Sequence, residues 1–244
     1  MQANPQKRLL MQLSRSFPDA IFFKETTEKI VALTIDDVPV PNEPTDVSTH
    51  LLLDTIANHN QQVVTWRDCV YATFFVITGH LGAKSTVLER ICAEGHELGN
   101  HGTTDETTAT LPADLFTAQF KAAHQILANH TQQPLRWYRP GRGLYNQSML
   151  QTLRTMPGYE PRFALASMLP LDTFKPTHLA PFTVWYASQF VFPGAILVLH
   201  GGSAAQAHQT AQVLPILLKI LTVQGYRIVT LSELWDAGST AAAE

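Results

Sequence analysis

The run Thr34-Ile35-Asp36-Asp37-Val38-Pro39 closes an apolar stretch, Ile30-Val31-Ala32-Leu33, with two adjacent carboxylates and a proline. Successive strand residues point to opposite sides, so the two acids share a task only if the strand bends at its end. A buried carboxylate is costly unless an arginine, a metal or a helix N-terminus relieves it; otherwise the pair simply caps the turn before Val38-Pro39. Three further segments carry chemistry. His101 and Asp105, in HGTTD, are four residues apart, a spacing that closes on one ion if the segment makes a helical turn. With Asp37 they would offer one nitrogen and two oxygens, a shell that zinc and other divalent metals accept with positions open for water and substrate. His200 follows Ile196-Leu197-Val198-Leu199 and precedes Gly201-Gly202. Its imidazole can serve as acid or base near neutrality, or bond a loop carbonyl. Arg139, in YRPGRG, is either a surface cation or the buried partner of a strand-end aspartate.

Asp36 and Asp37, His101, Arg139 and His200 stand at the ends of predicted strands, and Asp105 in the polar loop after one. The sequence alternates short β-type runs with amphipathic stretches, the pattern of βα units around a mainly parallel sheet. Strands are expected over 30–36, 71–77, 96–101, 136–140, 162–168 and 194–200, with RIVTL as a last one, about seven in all. Helices are expected over 49–60, 86–95, from Pro112 and Asp114 onward, across NQSMLQTLRTMPGY, over 207–221 and in SELWD. Gly95 marks a C-terminal cap. Phe116, Phe120, Ala123 and Leu127 fall on one helical face, as do Leu214, Leu217, Leu218 and Leu221. Leu169 to Phe182, rich in proline, reads as an irregular excursion. The expected fold is α/β, a distorted (β/α) barrel whose site lies at the carboxyl ends of its strands. Residues 1–27 are expected as an N-terminal extension packing on the barrel, 28–236 as the barrel domain and 237–244 as a disordered tail.

Composition narrows the function classes. With 244 residues, 45% hydrophobic and 15% charged, the chain can bury a sizeable core as one domain. A net charge of -3 without long runs of one sign gives no nucleic-acid footprint and no polybasic membrane segment. No apolar run approaches the roughly 20 residues of a spanning helix, and the N-terminus lacks a signal-peptide pattern, so a cytoplasmic or non-classically exported protein is expected. Cys69 and Cys92 lie in no CxxC or Cys/His cluster and are expected as buried thiols. Trp66, Trp137, Tyr145 and Trp185 are candidates for stacking on sugar rings, with a place in the core as the ordinary alternative.

In order, these pieces resemble the polysaccharide deacetylase family, the NodB-homology domain of carbohydrate esterase family four. TIDDVP is similar to its TFDDGP, GHELGNHGTTD to its GHEIGNHTxxH, YRPGRG to its RPP[FY]G and LVLH to its LLLH, while YATFFVI resembles its ATFFV strand. The resemblance implies a metal-dependent hydrolase that removes an acetyl group from an N-acetylated saccharide such as a chitooligosaccharide. It implies Asp36 as general base, Asp37 and His101 as metal ligands, Arg139 as the residue orienting the base and His200 as general acid, with Asp172 as the aspartate behind that histidine. The second metal histidine of the family falls at Asp105 here, and Gly141 and Arg142 replace the second proline and the aromatic. A backbone N–H near Gly141 or Arg142 would join the metal in stabilising an oxyanion. The implied cofactor is a divalent ion, zinc first, with cobalt, manganese and nickel as alternatives; the implied partner is a saccharide. Two other readings share the fold: a hydrolase of a non-sugar linear amide, and a non-catalytic carbohydrate-binding relative.

Overall fold

The computed structural model describes residues 4–168 and 179–238. At its centre lies β2 (Ile30–Val38), almost wholly buried. Its apolar, β-branched run suits a strand covered on both faces. It pairs in parallel with β3 (Ala72–Val76), β6 (Ile196–His200) and β7 (Arg227–Val229), and β3 pairs in parallel with β4 (Glu97–Asn100). From β4 the ring continues through a single bridge, Asn100 to Tyr138, and then through the Ala164 N–H to the Tyr138 carbonyl at 3.0 Å. Ala164 belongs to β5 (Phe163–Ala164), which pairs with β1 (Ala20–Ile21). The Ser167 N–H donates to the Ile196 carbonyl at 2.9 Å and closes the circuit onto β6. The result is the distorted barrel expected from the sequence.

Period-two alternation sorts the strand side chains into two cores. Ile30 and Ala32 of β2, Phe75 of β3 and Ile196 of β6 fill the barrel interior with Trp137, Val229 and Leu231. Val31, Leu33 and Ile35 face outward against the helices. Those are α2 (Val47–Gln62), α3 (Val87–Ala93), α4 (Ala113–Ala128), α5 (Gln147–Thr155) and α7 (Ala204–Val223), with α1 (Pro5–Ser16), α6 (Ala180–Phe190) and the short α8 (Leu231–Asp236). The predicted helical stripes are buried: Phe116, Phe120, Ala123 and Leu127 on α4, and Leu214, Leu217, Leu218 and Leu221 on α7. Side-chain caps start several helices, with Asn146 accepting from the Met149 N–H and Ser203 from the Gln206 N–H. Gly95 and Gly225, at φ 82° and 83°, end α3 and α7.

The structure departs from the sequence reading in identifiable places. The 136–140 strand contributes only the Tyr138 bridge, because the chain passes through Pro140 into a tight turn at Gly141–Gly143. The 162–168 strand shrinks to Phe163–Ala164, since the Ala164 and Leu165 carbonyls accept from the Arg139 side chain instead of a strand. β1 lies within the stretch read as an extension, and Leu10 of α1 is 4% exposed in the outer core. Helix α6 begins inside the expected excursion. It buries Thr183, Val184, Ala187 and Ser188 and leaves Trp185 exposed, so no apolar stripe announces it. The two cysteines are half-buried rather than buried. Trp66 and Trp185 are exposed, not in the core, whereas Trp137 fills it. Residues 239–244 of the expected tail lie outside the described residues. Among the described residues no helix is long and apolar enough to cross a membrane.

Candidate active site

Strand register places the first two site residues. Asp36 of β2 is paired with His200 of β6, and the inward column below them runs Thr34 with Val198 and Ala32 with Ile196. Register partners in parallel strands point to the same side, so Asp36 and His200 both stand at the carboxyl end of the barrel interior. They are 4% and 8% exposed. Asp37 would face outward on a regular strand. Instead its φ is 65°, and the register with β3 shifts between Ile35 and Val38, the bend the adjacent acids require.

Arg139 is the buried partner anticipated for Asp36. Its Nη1 donates to Asp36 Oδ1 at 2.5 Å and to Thr34 Oγ1 at 2.7 Å. Nε and Nη2 donate to the carbonyls of Ala164 and Leu165 at 2.9 and 3.1 Å, and the guanidinium carbon sits 4.1 Å from the Phe75 ring centre. This rigid fork spans four acceptors over an aromatic face, which the single ammonium of a lysine cannot do. The ion pair keeps Asp36 aimed, with one carboxylate oxygen engaged.

His101 joins the other half of the site. Its Nδ1–H donates to the Arg139 carbonyl at 2.7 Å, and its Nε2 faces Asp37 Oδ1 at 3.0 Å. Burial is the largest influence on both groups and opposes their charges. It is outweighed by the bond they share, which with neighbouring charges raises the His101 pKa and lowers that of Asp37. Fixing Nδ1 to a carbonyl and leaving Nε2 beside a carboxylate is how a protein prepares an imidazole for a metal.

A cleft of about 620 Å³ gathers Asp36, Asp37, His101, Arg139 and His200. One wall is apolar, formed by Phe22, Leu165, Met168 and Val198. Asp105 and Arg142 also line it, but their side chains are 60% and 63% exposed and stand 4.0 Å apart. Among the described residues no three His, Cys, Asp or Glu side chains gather closely enough to hold a metal, so Asp105 is not drawn in beside Asp37 and His101. Asp172 lies outside the described residues. None of Trp66, Trp137, Tyr145 and Trp185 lines the cleft. The sequence reading missed His80 and Gln206, which do. Both follow strand ends, the rule that found the others; each stands a few residues beyond its strand, in the turn after β3 and the first turn of α7.

Gly202 explains how the β6 loop closes over Asp37. A Cβ built there would lie 2.6 Å from the Asp37 Cβ, so only glycine permits the approach.

Comparison with known proteins agrees with this geometry. The polysaccharide deacetylase family profile matches residues 23–160. The chain is 27% identical over 207 residues to a peptidoglycan-N-acetylglucosamine deacetylase of Bacillus cereus, covering 85% of this chain and 88% of that one. It is 29% identical over 219 residues to a chitooligosaccharide deacetylase of Bradyrhizobium, covering 84% and 90%. Among solved structures, the Xyl-CE4 domain of a multidomain xylanase from the hindgut metagenome of Trinervitermes trinervoides superposes with a TM-score of 0.71 at 26% identity, covering 87% and 92%. A CE4 family pseudoenzyme from Bacillus anthracis, at 22% identity and TM-score 0.73 over 90% of this chain and 69% of that one, shares the fold.

A distorted parallel barrel with a charged cleft at its strand ends carries its candidate site where barrel enzymes carry theirs. The chain belongs to the polysaccharide deacetylase family and is a hydrolase of carbon–nitrogen bonds other than peptide bonds.

Proposed function

We propose that this enzyme removes the acetyl group from an N-acetylated saccharide with the aid of a divalent metal, zinc first and cobalt, manganese or nickel in its place. The observation that carries the reading is the pairing of two contacts in one cleft: Arg139 to Asp36 at 2.5 Å and His101 to Asp37 at 3.0 Å. One carboxylate is thereby held by a cation and the other by an imidazole whose second nitrogen is anchored. The names of the Bacillus cereus and Bradyrhizobium relatives support the substrate class.

Asp37 and His101 fit a divalent ion in donor type, orientation and anchoring, and Asp105 reaches it only if its loop moves inward. Bound there, the ion would supply Lewis acidity, polarising the amide carbonyl and lowering the pKa of water. The remaining work falls to the chain. Asp36, aimed by Arg139, accepts the proton of the attacking water. His200, across the β2–β6 register from Asp36, donates a proton to the nitrogen of the departing amine. Water thus adds to the acyl carbon, the C–N bond breaks, and acetate and a free amine leave. The apolar wall of Leu165, Met168 and Val198 keeps bulk water from that carbon.

The test is acetate release from N-acetylated chitooligosaccharides and peptidoglycan fragments, before and after chelation and after zinc is restored. Turnover lost on chelation and regained with zinc supports the reading. Turnover unaffected by chelation, or confined to small non-sugar amides, contradicts it.

A further inference from the structure

The turn that presents Asp37 does not stand alone. The segment Ile77 to His80 leaves β3 and grips it from one side: the Ile77 N–H donates to the Val38 carbonyl, and His80 Nδ1 donates to the Pro39 carbonyl, both at 2.9 Å. The same four residues hold the loop after His101. The Thr78 and Gly79 N–H groups donate to the carbonyls of Gly102 and Thr103 at 3.0 and 3.1 Å. Gly79 is pressed so closely there that a Cβ would fall 2.1 Å from the Thr103 oxygen. This short turn therefore ties the loop carrying Asp37 to the loop carrying His101.

His80 is the side chain in this brace that reaches the cleft. Its Nδ1 bond to Pro39 matches the Nδ1 bond of His101 to Arg139, with an imidazole anchoring a backbone carbonyl in each case. The Pro39 carbonyl lies two residues beyond Asp37, whose left-handed backbone needs an external hold to persist.

We propose that His80 is a positioning residue: through its Nδ1–H and the Pro39 carbonyl it fixes Asp37 at the spacing from His101 that a divalent ion requires. The inference rests on the reading of Asp37 and His101 as metal ligands. Groups that hold metal ligands in place typically affect affinity by about 10- to 100-fold when removed.

The experiment is a titration of the chelator-treated full chain with cobalt(II), followed by calorimetry and visible absorption, for wild type, His80→Ala, His80→Asn and His80→Gln. Asparagine places an N–H near the position of Nδ1, and glutamine near that of Nε2. The expected result is cobalt affinity at least about 10-fold weaker in His80→Ala, restored to within about threefold by Asn and not by Gln. Unchanged affinity in His80→Ala, failure of Asn to restore it, or restoration by Gln would overturn the inference. Circular dichroism before titration confirms that each variant is folded, and the Asn and Gln variants decide the matter if Ala is not. A wild-type chain that binds no cobalt sinks the metal reading itself. His80 is then judged by kcat for acetate release: a tenfold loss in Ala with KM unchanged and rescue by Asn supports the positioning role, and an unchanged kcat overturns it.

Discussion

The backbone carbonyl of Arg139 receives the Nδ1 proton of His101 at 2.7 Å, while the Arg139 guanidinium binds Asp36 at 2.5 Å. One residue thus orients both halves of the site, Asp36 through its side chain and the His101 imidazole through its main chain. The main-chain contact survives substitution of the side chain, so the two effects separate experimentally.

Replacing Arg139 with alanine leaves the Asp36 carboxylate buried without its counter-ion. Breaking a buried pair in this way costs about 3–5 kcal/mol, and urea unfolding should register a loss of that size. Arg139→Lys keeps a charge but cannot serve Asp36, Thr34, Ala164 and Leu165 together. Its kcat should fall by about 100-fold with little change in KM, as expected when a reacting group is slightly misplaced.

Gly202→Ala tests the closure of the β6 loop. The new methyl would stand 2.6 Å from the Asp37 Cβ, so one of the two loops must give way. We expect weaker metal binding and a stability loss of about 1–3 kcal/mol, both measurable on the purified variant.

The Asp37–His101 pair should leave a signature in pH. The pKa of His101 is raised above 6.5, so its stabilisation is complete below that value and is lost as pH rises through the raised one. Asp37 is lowered below 3.8, so its share is present above that value and is lost as pH falls through the lowered one. Chelator-treated wild type should therefore lose stability above pH 6.5, and His101→Ala should not show that loss. Loading a metal onto His101 near pH 6.5 should release a proton, read as a buffer-dependent heat in calorimetry.

His96, outside the site, sets an acid limit. Burial depresses its pKa to about 4, and the Ala72 N–H donates to its Nδ1, holding the ring neutral. Protonation is then easier in the unfolded chain, so stability falls as pH drops below 6.5 and stops falling near 4. The depression corresponds to a loss on the order of 3 kcal/mol. Urea unfolding of wild type and His96→Phe between pH 7 and 4 should show that slope in wild type alone.

Much of this was legible in the sequence because it rests on local patterns. The run from Ile30 to Asp37 reads as a buried strand ending in chemistry, and the α4 and α7 stripes keep helical spacing over several turns. Asp36, Asp37, His101, Arg139 and His200 were placed by one rule, that barrel chemistry stands at strand ends. What escaped depends on long-range contacts. β1 is two residues long and exists through its pairing with β5, the part of the expected 162–168 strand that forms, and α6 hides small and hydroxyl side chains while displaying Trp185. His80 enters the cleft only because its turn is bonded to loops near residues 39 and 103. No spacing within its own segment announces that.

The claim that Asp37 holds the ion while Asp36 acts on water is tested most directly by measuring cobalt affinity and acetate release together in Asp36→Asn and Asp37→Asn. The account predicts that Asp36→Asn binds cobalt as wild type does yet loses about 10²–10⁴-fold in kcat, while Asp37→Asn loses the metal and the activity together. Cobalt bound with wild-type affinity by Asp37→Asn, or acetate released at the wild-type rate by Asp36→Asn, would contradict it.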